Sequence, residues 1–365
     1  MTRRSNRREF IQGRAATDAV GDLAAGSQVD ESADGSAPVN WVEAASAPYQ
    51  MRMQRPAMAC TFEVFFNAGQ HADATETALA AFDLIDELEA QLTVYRDTSE
   101  VMRLNRAAAE GPVVVEPRLF ALLARAVEIH RETNGAFDIT AGPLTKVWGF
   151  HRRAGQVPTD ADLAEALLCV GSQHLELDAD SCAVRFRTPG IEINLGAIGK
   201  GYSLDRSAIL MAAAGVNDFL WHGGQSSVLA RGGSTAGIGG GWTVGVRDPI
   251  QADRRLAEIT LRDRALATSG ASVQFFRHQG KRYGHILDPR TGWPAEGVFS
   301  ATVVAPTAAE ADALSTACYV LGVDGALDLA RRRGDIGVVM VYPSAGGSSV
   351  EMAVEGLAGE DLRIQ

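Results

Sequence analysis

Cysteine, long hydrophobic runs and positive charge are all scarce in this sequence. Its four cysteines lie far apart in apolar surroundings, which predicts buried thiols and excludes a disulfide framework or a zinc site. They are Cys60, Cys169, Cys182 and Cys318. No window holds the roughly 18 consecutive apolar residues of a membrane span, so no transmembrane segment is expected. Basic residues number 34 against 45 acidic ones, a formal net charge of -11, which disfavours nucleic-acid binding.

The N-terminal segment differs in composition from the rest of the chain. Arginine pairs at positions 3–4 and 7–8 resemble a twin-arginine export signal, but Arg14, Asp18 and Asp22 stand where its apolar region belongs. Residues 12–47 are rich in Ala, Gly, Ser and Asp, which is typical of disordered segments. We therefore predict a disordered leader over residues 1–50, which either exports the chain to the periplasm or cell envelope or leaves it cytoplasmic.

The whole chain is 46% apolar, enough for a large core, which we expect within the remaining residues, 51–365. Helical periodicity predicts helices near residues 73–92, 117–133, 160–168, 199–214 and 308–321. Strand patterns fall at residues 60–66, 174–178, 183–187, 191–195, 218–222, 242–246 and 300–304. Because strands group with strands, the prediction is a single α+β domain of mixed sheets with packed helices.

Two glycine-rich stretches contain polar residues that a core would not select. In residues 135–150, Asp138 and Thr140 interrupt an apolar run, which suits a loop around a ring ligand or a helix end leading to a core tryptophan. In residues 194–202, a strand end passes through glycines into a helix beside Lys200, an arrangement that suits phosphate. It is not a Walker A loop, because Gly201 replaces the required Ser or Thr.

Two further stretches contain candidate catalytic and metal-binding side chains. His285 precedes a turn marked by Asp288 and Gly292, which predicts a histidine held at a strand end, although a lone histidine is more often structural. Asp312 and Thr316 lie four residues apart on one helix and so project from the same side. A carboxylate beside a hydroxyl suits a magnesium ion, although a solvated Asp and a packed Thr fit the same spacing.

Taken together, these stretches resemble the ApbE family over residues 58 to about 357. The resemblance rests on seven segments in the same order, at residues 92–105, 135–150, 195–202, 223–224, 267–270, 285–292 and 311–316. It implies an FAD:protein FMN transferase, which splits FAD with the help of Mg²⁺, attaches FMN to a threonine hydroxyl of an acceptor protein and releases AMP. The implied acceptors are redox-complex subunits or extracytoplasmic electron carriers.

The resemblance also assigns roles to individual residues. The positions that match the FAD site of the family are Met58, Tyr95, Ala136, Phe137, Asp138, Asn194, Lys200 and Ile286. The cation would be held by the backbone carbonyl of Ala197 with Asp312 and Thr316, and His285 would act near the transferring phosphate. The chain departs from the common family pattern at Asn194, Ala197, Gly199 and Ser315. Two alternatives stay open: an FAD pyrophosphatase that releases FMN and AMP, and a non-catalytic FAD-binding module.

Overall fold

The computed structural model describes residues 39–40, 50–152, 154–234, 240–251, 253–270, 274–344, 349–357 and 359–365. All of them belong to one unit that spans residues 37–365. The predicted leader, residues 1–50, lies outside the described residues except for positions 39–40 and 50, so the domain boundary at residue 50 stays a prediction.

Seven α-helices occur among the described residues. They are α1 (Ala74–Leu92), α2 (Glu100–Ala107), α3 (Pro117–Glu132), α4 (Gly142–Val147), α5 (Asp160–Leu167), α6 (Gly199–Ala213) and α7 (Ala308–Arg333). The predicted helices are confirmed within about one residue at their starts, and side-chain caps mark the starts of α3, α5 and α7. Thr159 and Asp162 form a reciprocal capping box at α5, and Thr307 Oγ1 accepts a hydrogen bond from the amide of Glu310 at α7.

The strands of the described ranges form four antiparallel sheets. They are β1 (Val39–Asn40), β2 (Gln50–Ala57), β3 (Cys60–Asn67), β4 (Val113–Val114), β5 (Leu175–Asp178), β6 (Ala183–Phe186), β7 (Phe219–Gly223), β8 (Ser227–Arg231), β9 (Trp242–Arg247), β10 (Arg255–Leu261), β11 (Ala265–Gly270), β12 (Phe275–His278), β13 (Lys281–Gly284), β14 (Ser300–Ala305), β15 (Gly337–Pro343), β16 (Val350–Glu355) and β17 (Leu362–Ile364). The sheet orders are β16-β15-β14-β11-β8-β7-β3-β2, β1-β9-β10-β17, β4-β6-β5 and β12-β13.

The eight-stranded sheet lies between helices on one face and the four-stranded sheet on the other. Trp221 and Leu229 point into the helical core with Leu314 of α7, whereas their neighbours Leu220 and Val228 pack towards the four-stranded sheet. Alternate side chains of a strand point to opposite faces, so both cores draw on the same strands. This confirms the predicted α+β class and explains why β14 is buried along its whole length.

Helix α7 is longer than predicted. It continues to Arg333 beyond a break at Gly322, whose backbone angles (φ 72°, ψ -176°) are not helical. By length and composition α7 could cross a membrane, but half of its apolar window is buried in this fold, where it packs as a core helix.

The predicted strand at residues 191–195 is wrong. Among the described residues a single bridge forms there, between Glu192 and Ala141. The side chain of Asn105 takes the place of a neighbouring strand, since its amide donates to the carbonyl of Ile193 (2.9 Å) and its carbonyl accepts from the amide of Ile193 (2.8 Å). The cysteine prediction is also corrected in part: all four thiols are free, but only Cys318 is fully buried.

Candidate active site

The site is built where the first turn of α6 meets the first turns of α7. A Cβ atom at Gly201 would lie 2.0 Å from the carbonyl oxygen of Ala308, so only glycine permits this approach. The carboxylate of Asp205 accepts hydrogen bonds from the amides of Ala308 (2.8 Å) and Ala309 (2.9 Å). These amides begin α7 and have no partner within the helix, so Asp205 both caps α7 and joins it to α6.

Asp312 is the central carboxylate of the site and is only 5% exposed. Its Oδ2 accepts from the amide of Gly201 (2.9 Å), and its Oδ1 accepts from Ser227 Oγ (2.7 Å) at the start of β8. Lys200 Nζ lies 3.9 Å from Oδ1. Each carboxylate oxygen therefore has one fixed donor and keeps lone-pair capacity for a further ligand.

The neighbouring oxygen atoms fit a magnesium ion. The amide of Gly201 would reach back to the carbonyl of Ala197 in a continuous helix, but it donates to Asp312, which leaves the Ala197 carbonyl outside the helical ladder. Thr316 Oγ1 lies 3.1 Å from Ser269 Oγ and one turn along α7 from Asp312. Among the described residues no group of three His, Cys, Asp or Glu side chains forms. One carboxylate with neutral oxygens suits Mg²⁺, whose shell is completed by phosphates and water.

His285 lies at the end of β13, with one ring nitrogen fixed. Its amide and its Nδ1 both lie within hydrogen-bonding distance of the Gln274 carbonyl, at 3.1 and 3.0 Å. A carbonyl can only accept, so Nδ1 carries the proton and Nε2 presents a lone pair. Burial lowers the pKa of His285 below its ordinary value, and the charge of Lys200 lowers it further although the hydrogen bond to Gln274 opposes this. The ring is therefore neutral at pH 7.

The turn between β2 and β3 borders the same site. Met58 and Ala59 both have positive φ (49° and 57°), which makes a type I′ hairpin from residues that rarely adopt it. The amide of Met58 donates to Glu89 Oε2 (2.9 Å), and Ser203 Oγ of α6 lies 3.6 Å from Met58 Sδ. Burial raises the pKa of the Cys60 thiol to about 11, with smaller contributions from the charges of the site, so this thiol stays protonated.

The loop between α3 and α4 contains Asp138, whose side chain points inwards. Its Oδ1 accepts from the amide (2.8 Å) and hydroxyl (2.7 Å) of Thr140 and from the hydroxyl of Ser172 (2.6 Å). Its Oδ2 accepts from the amide of Ser172 (3.0 Å) and lies 3.0 Å from His130 Nδ1.

The contact between His130 and Asp138 changes the pKa of both partners. Burial opposes ionisation of Asp138, but the hydrogen bonds and charge of His130, with the hydroxyls of Ser172 and Thr140, outweigh it and lower the pKa of Asp138. Burial likewise opposes protonation of His130, yet Asp138 raises the pKa of His130. The carboxylate therefore fixes the shape of this loop.

All but two of the residues predicted from the sequence, Tyr95 and Ile286, fall into two groups. Met58, Lys200, His285 and the three cation residues surround the α6–α7 contact. Ala136, Phe137 and Asp138 lie in the loop between α3 and α4. A hydrogen bond from the Asn194 amide to the Ile139 carbonyl (2.7 Å) joins this loop to Asn194. Ala136 and Phe137 are 1% exposed and Ile286 is 7% exposed, whereas Tyr95 is 73% exposed.

Sequence reasoning missed the residues that orient the site. Ser227 and the amide of Gly201 hold Asp312, and Gln274 holds His285. Ser227 follows Gly223 and Gly224 closely in the sequence, but serine after a glycine pair is common in turns and contains no signal for a distant carboxylate. A hydrogen bond from a backbone amide leaves no mark in the sequence.

Comparison with known proteins identifies the family. The family model described as "ApbE family" matches residues 58–340. The FAD:protein FMN transferase of Klebsiella pneumoniae (strain 342) is 35% identical over 272 residues, covering 73% of this chain and 83% of that protein. The FAD:protein FMN transferase of Treponema pallidum (strain Nichols) is 35% identical over 284 residues, covering 72% and 76%.

Solved structures show the same fold. The ApbE protein of Thermotoga maritima superposes with a TM-score of 0.75 at 29% identity, covering 83% of this chain and 97% of that one. The flavin transferase ApbE of Vibrio cholerae gives a TM-score of 0.74 at 27% identity, covering 84% and 97%. The match extends over most of the sequence and nearly all of each neighbour, and it confirms the resemblance noted in the motifs: this chain belongs to the ApbE family.

Proposed function

We propose that this chain is an FAD:protein FMN transferase that uses Mg²⁺ and modifies a threonine hydroxyl of its acceptor. The names of the relatives support the flavin transfer, and the arrangement around Asp312 supports the chemistry. The observation on which the proposal depends is that a buried carboxylate, a lysine 3.9 Å from it and a neutral histidine under the influence of that lysine belong to one site. A diphosphate substrate needs these three kinds of group.

Each residue has a distinct task in this reaction. Lys200, at the start of α6, faces the negative charge of the diphosphate of FAD, aided by the helix amides. His285 Nε2 takes the proton of the threonine hydroxyl as its oxygen attacks the phosphorus on the FMN side. The bond between this phosphorus and the bridging oxygen breaks, and AMP leaves with that oxygen. Asp312, Thr316 and the Ala197 carbonyl would hold the magnesium ion, which neutralises phosphate charge when it is bound.

The residues assigned to the flavin would act in two ways. Tyr95 is exposed and Asn194 is half-buried, so their side chains are open to a ligand. The loop of Ala136, Phe137 and Asp138 would contribute through its backbone and its shape, because these side chains are buried.

The experiment is mass spectrometry of a threonine-containing acceptor peptide after incubation with the protein, FAD and Mg²⁺. We expect a mass gain of one FMN on the threonine and one AMP released for each FMN transferred. Asp312→Asn and His285→Asn should abolish the gain, and EDTA should do the same to the unmodified enzyme. Asp328→Asn is the matched control, since Asp328 lies on the same helix with its side chain 58% exposed.

The competing activities predict different products. Free FMN and AMP with an unmodified peptide would identify an FAD pyrophosphatase, in which water replaces the threonine hydroxyl. FAD that is bound and stays intact would identify a binding module and would contradict the role of His285.

A further inference from the structure

The β12–β13 hairpin forms a basic surface on an acidic protein. No Asp or Glu occurs between Asp263 and Asp288, although the chain as a whole has a net charge of -11. Within this interval the hairpin turns at Gln279 and Gly280, which both have positive φ (49° and 79°). The hairpin therefore concentrates positive charge where the rest of the chain is mostly negative.

The two faces of the hairpin differ in what they contact. Phe276 and Tyr283 point inwards, with ring centroids 6.3 and 5.5 Å from that of Trp148. On the opposite face lie Phe275, Arg277 and Arg282, which we call the basic hairpin face; all three are exposed. Arg282 Cζ lies 3.9 Å from the centroid of the Phe275 ring. The inner face anchors the hairpin, and the basic hairpin face is left at the surface.

Two arginines oppose each other directly on this face. Arg277 and Arg282 are cross-strand partners, and like charges in that position destabilise a hairpin. Burial, together with the charge of Arg277, lowers the pKa of Arg282. Lys281 has a carboxylate partner, Glu296 at 2.9 Å, whereas Arg277 has none within 4.0 Å among the described residues. An anion bound between the two arginines would relieve their repulsion.

The basic hairpin face lies close to the candidate active site. Strand β13 runs from Lys281 to Gly284 directly into His285, so Arg282 is three residues, at most about 10 Å of extended chain, from the proposed base. On its other side Arg282 interacts electrostatically with Tyr319 of α7, three residues beyond Thr316. A peptide whose threonine reaches His285 would therefore pass the two arginines within a few residues.

We propose that the basic hairpin face is the docking surface for the acceptor protein, and that it binds an acidic peptide segment flanking the acceptor threonine. The proposal rests on the proposed function, since it assumes that a protein threonine enters the site. Carboxylates of the segment would pair with Arg277 and Arg282, and the ring of Phe275 would contact apolar atoms between them. The face thereby selects acceptors by charge before the reaction begins.

Measurements of peptide binding test the proposed docking surface without requiring FMN transfer. Three fluorescein-labelled peptides would share a central threonine and differ only in four flanking positions, which are Asp, Asn or Lys. Fluorescence anisotropy with the full-length protein should show the Asp peptide binding about tenfold more tightly than the Asn peptide at low ionic strength, with the difference shrinking as salt shortens the screening length. The Lys peptide should bind most weakly.

The main variant is Arg277→Glu, which converts the repulsive cross-strand pair into an attractive one and so favours folding of the hairpin. It should weaken binding of the Asp peptide about tenfold while the affinity for FAD changes less than about twofold. The double variant Arg277→Gln/Arg282→Gln should abolish the preference for Asp over Asn. Arg118→Glu on α3 is the control, because its side chain is 67% exposed and it belongs to neither site.

The outcomes separate this proposal from the proposed function. Equal binding of the Asp and Asn peptides, or an equal loss of FAD affinity in Arg277→Glu, would overturn the docking surface; the second result would identify the phosphates of FAD as the ligand of the arginines. Asp peptide that binds selectively but gains no FMN would support the docking surface and contradict the transferase activity. Transfer of FMN to the Asp and Asn peptides at the same rate would support the transferase activity and contradict the docking surface.

Discussion

The carboxylate of Asp138 is surrounded by five hydrogen-bond donors from three residues and is almost inaccessible, with its side chain 1% exposed. Such a group contributes to a ligand site by holding the loop around it. A direct hydrogen bond to FAD would require it to exchange one of these partners. At the scale of the single residue, burial therefore decides between a binding role and a positioning role.

We expect Asp138→Ala to lower the free energy of unfolding by about 3 kcal/mol, because it leaves the donors of Thr140 and Ser172 buried without their acceptor and removes the carboxylate beside the half-buried His130. Denaturant unfolding measures this change. Asp180→Ala, at an exposed position, should leave stability unchanged. If Asp138→Ala kept full stability and lost only FAD affinity, the carboxylate would be a direct ligand and the positioning role would be wrong.

His285 gives a prediction for pH dependence. Its pKa is lowered, so Nε2 is unprotonated at neutral pH, and the transfer rate should be constant near pH 7 and fall as pH drops through the pKa of His285, below 6.5. His285→Asn keeps a donor for the Gln274 carbonyl but has no base, so we expect kcat/KM to fall about 10²- to 10⁴-fold and the acidic limb to disappear. Transfer rates measured between pH 5 and 8 give both the change in kcat/KM and the acidic limb. An unchanged acidic limb in the variant would assign the base to another group.

The candidate site was only partly predictable at this scale. Asp312, Thr316 and His285 are candidates because their spacing and surroundings match the order of motifs in the ApbE family, and their roles stay a prediction. Ser227 and Gln274 could not be identified, since each acts on a partner that is distant in the sequence. Contacts of that kind depend on the order of strands in the sheet, which a single sequence does not show.

At the scale of the element, the start of α6 contains two glycines that differ in the space available for a side chain. A Cβ at Gly201 would be 2.0 Å from the Ala308 carbonyl oxygen, whereas a Cβ at Gly199 would have its nearest neighbour at 4.0 Å. Both residues lie in the same helical turn and neither has a positive φ. Their difference therefore comes from packing alone.

We expect Gly201→Ala to destabilise the protein by at least about 3 kcal/mol, since α6 and α7 must separate and Asp312 must lose the amide of residue 201. Gly199→Ala should stabilise it by about 0.5–1 kcal/mol through the higher helix propensity of alanine. Denaturant unfolding of the two variants, with Mg²⁺-dependent FAD turnover, is the measurement. Equal effects of the two substitutions would mean that the helices do not approach so closely.

Elements with a strong local signal were predictable, and elements defined by partners were not. Helix α3 has Pro117 at its first position, a side-chain cap from Glu116 and an apolar stripe, so its bounds follow from local chemistry. Residues 191–195 have the apolar pattern of a strand, but the segment lies beside the side chain of Asn105 and joins none of the sheets in the described part of the chain. The apolar pattern indicates that the segment is buried. Whether it forms the backbone hydrogen bonds of a sheet depends on which segment lies beside it.

At the scale of the whole molecule, the fold class followed from the grouping of strands and helices, whereas the sheet order did not. Strand β3 pairs with β2 and with β7, and the segments between β3 and β7 include six of the helices. Which of these distant strands pair depends on how much apolar surface the whole sheet buries on its two faces. No local pattern encodes it.

The boundary between leader and domain can be tested on the whole molecule by deleting residues 1–49. Among the deleted residues the structure describes only β1, whose two residues pair with Val246 and Gly245 at the edge of the four-stranded sheet. We expect the truncated chain to unfold cooperatively, with an unfolding free energy lower by about 1–2 kcal/mol for the lost edge hydrogen bonds, and to transfer FMN at the rate of the full chain. The active site lies on other elements, so the deletion should not reach it.

Deletion of residues 1–36 is the control, because it keeps β1 and should leave the free energy of unfolding unchanged. Denaturant unfolding and the mass gain of the acceptor peptide are measured on the same preparations. If removal of residues 37–49 abolished cooperative unfolding, this segment would be part of the folded domain, and the boundary would lie nearer residue 37 than residue 50. If only FMN transfer were lost while stability remained, the segment would contribute to acceptor or FAD binding, since an edge strand that merely adds two backbone pairs affects stability before it affects catalysis.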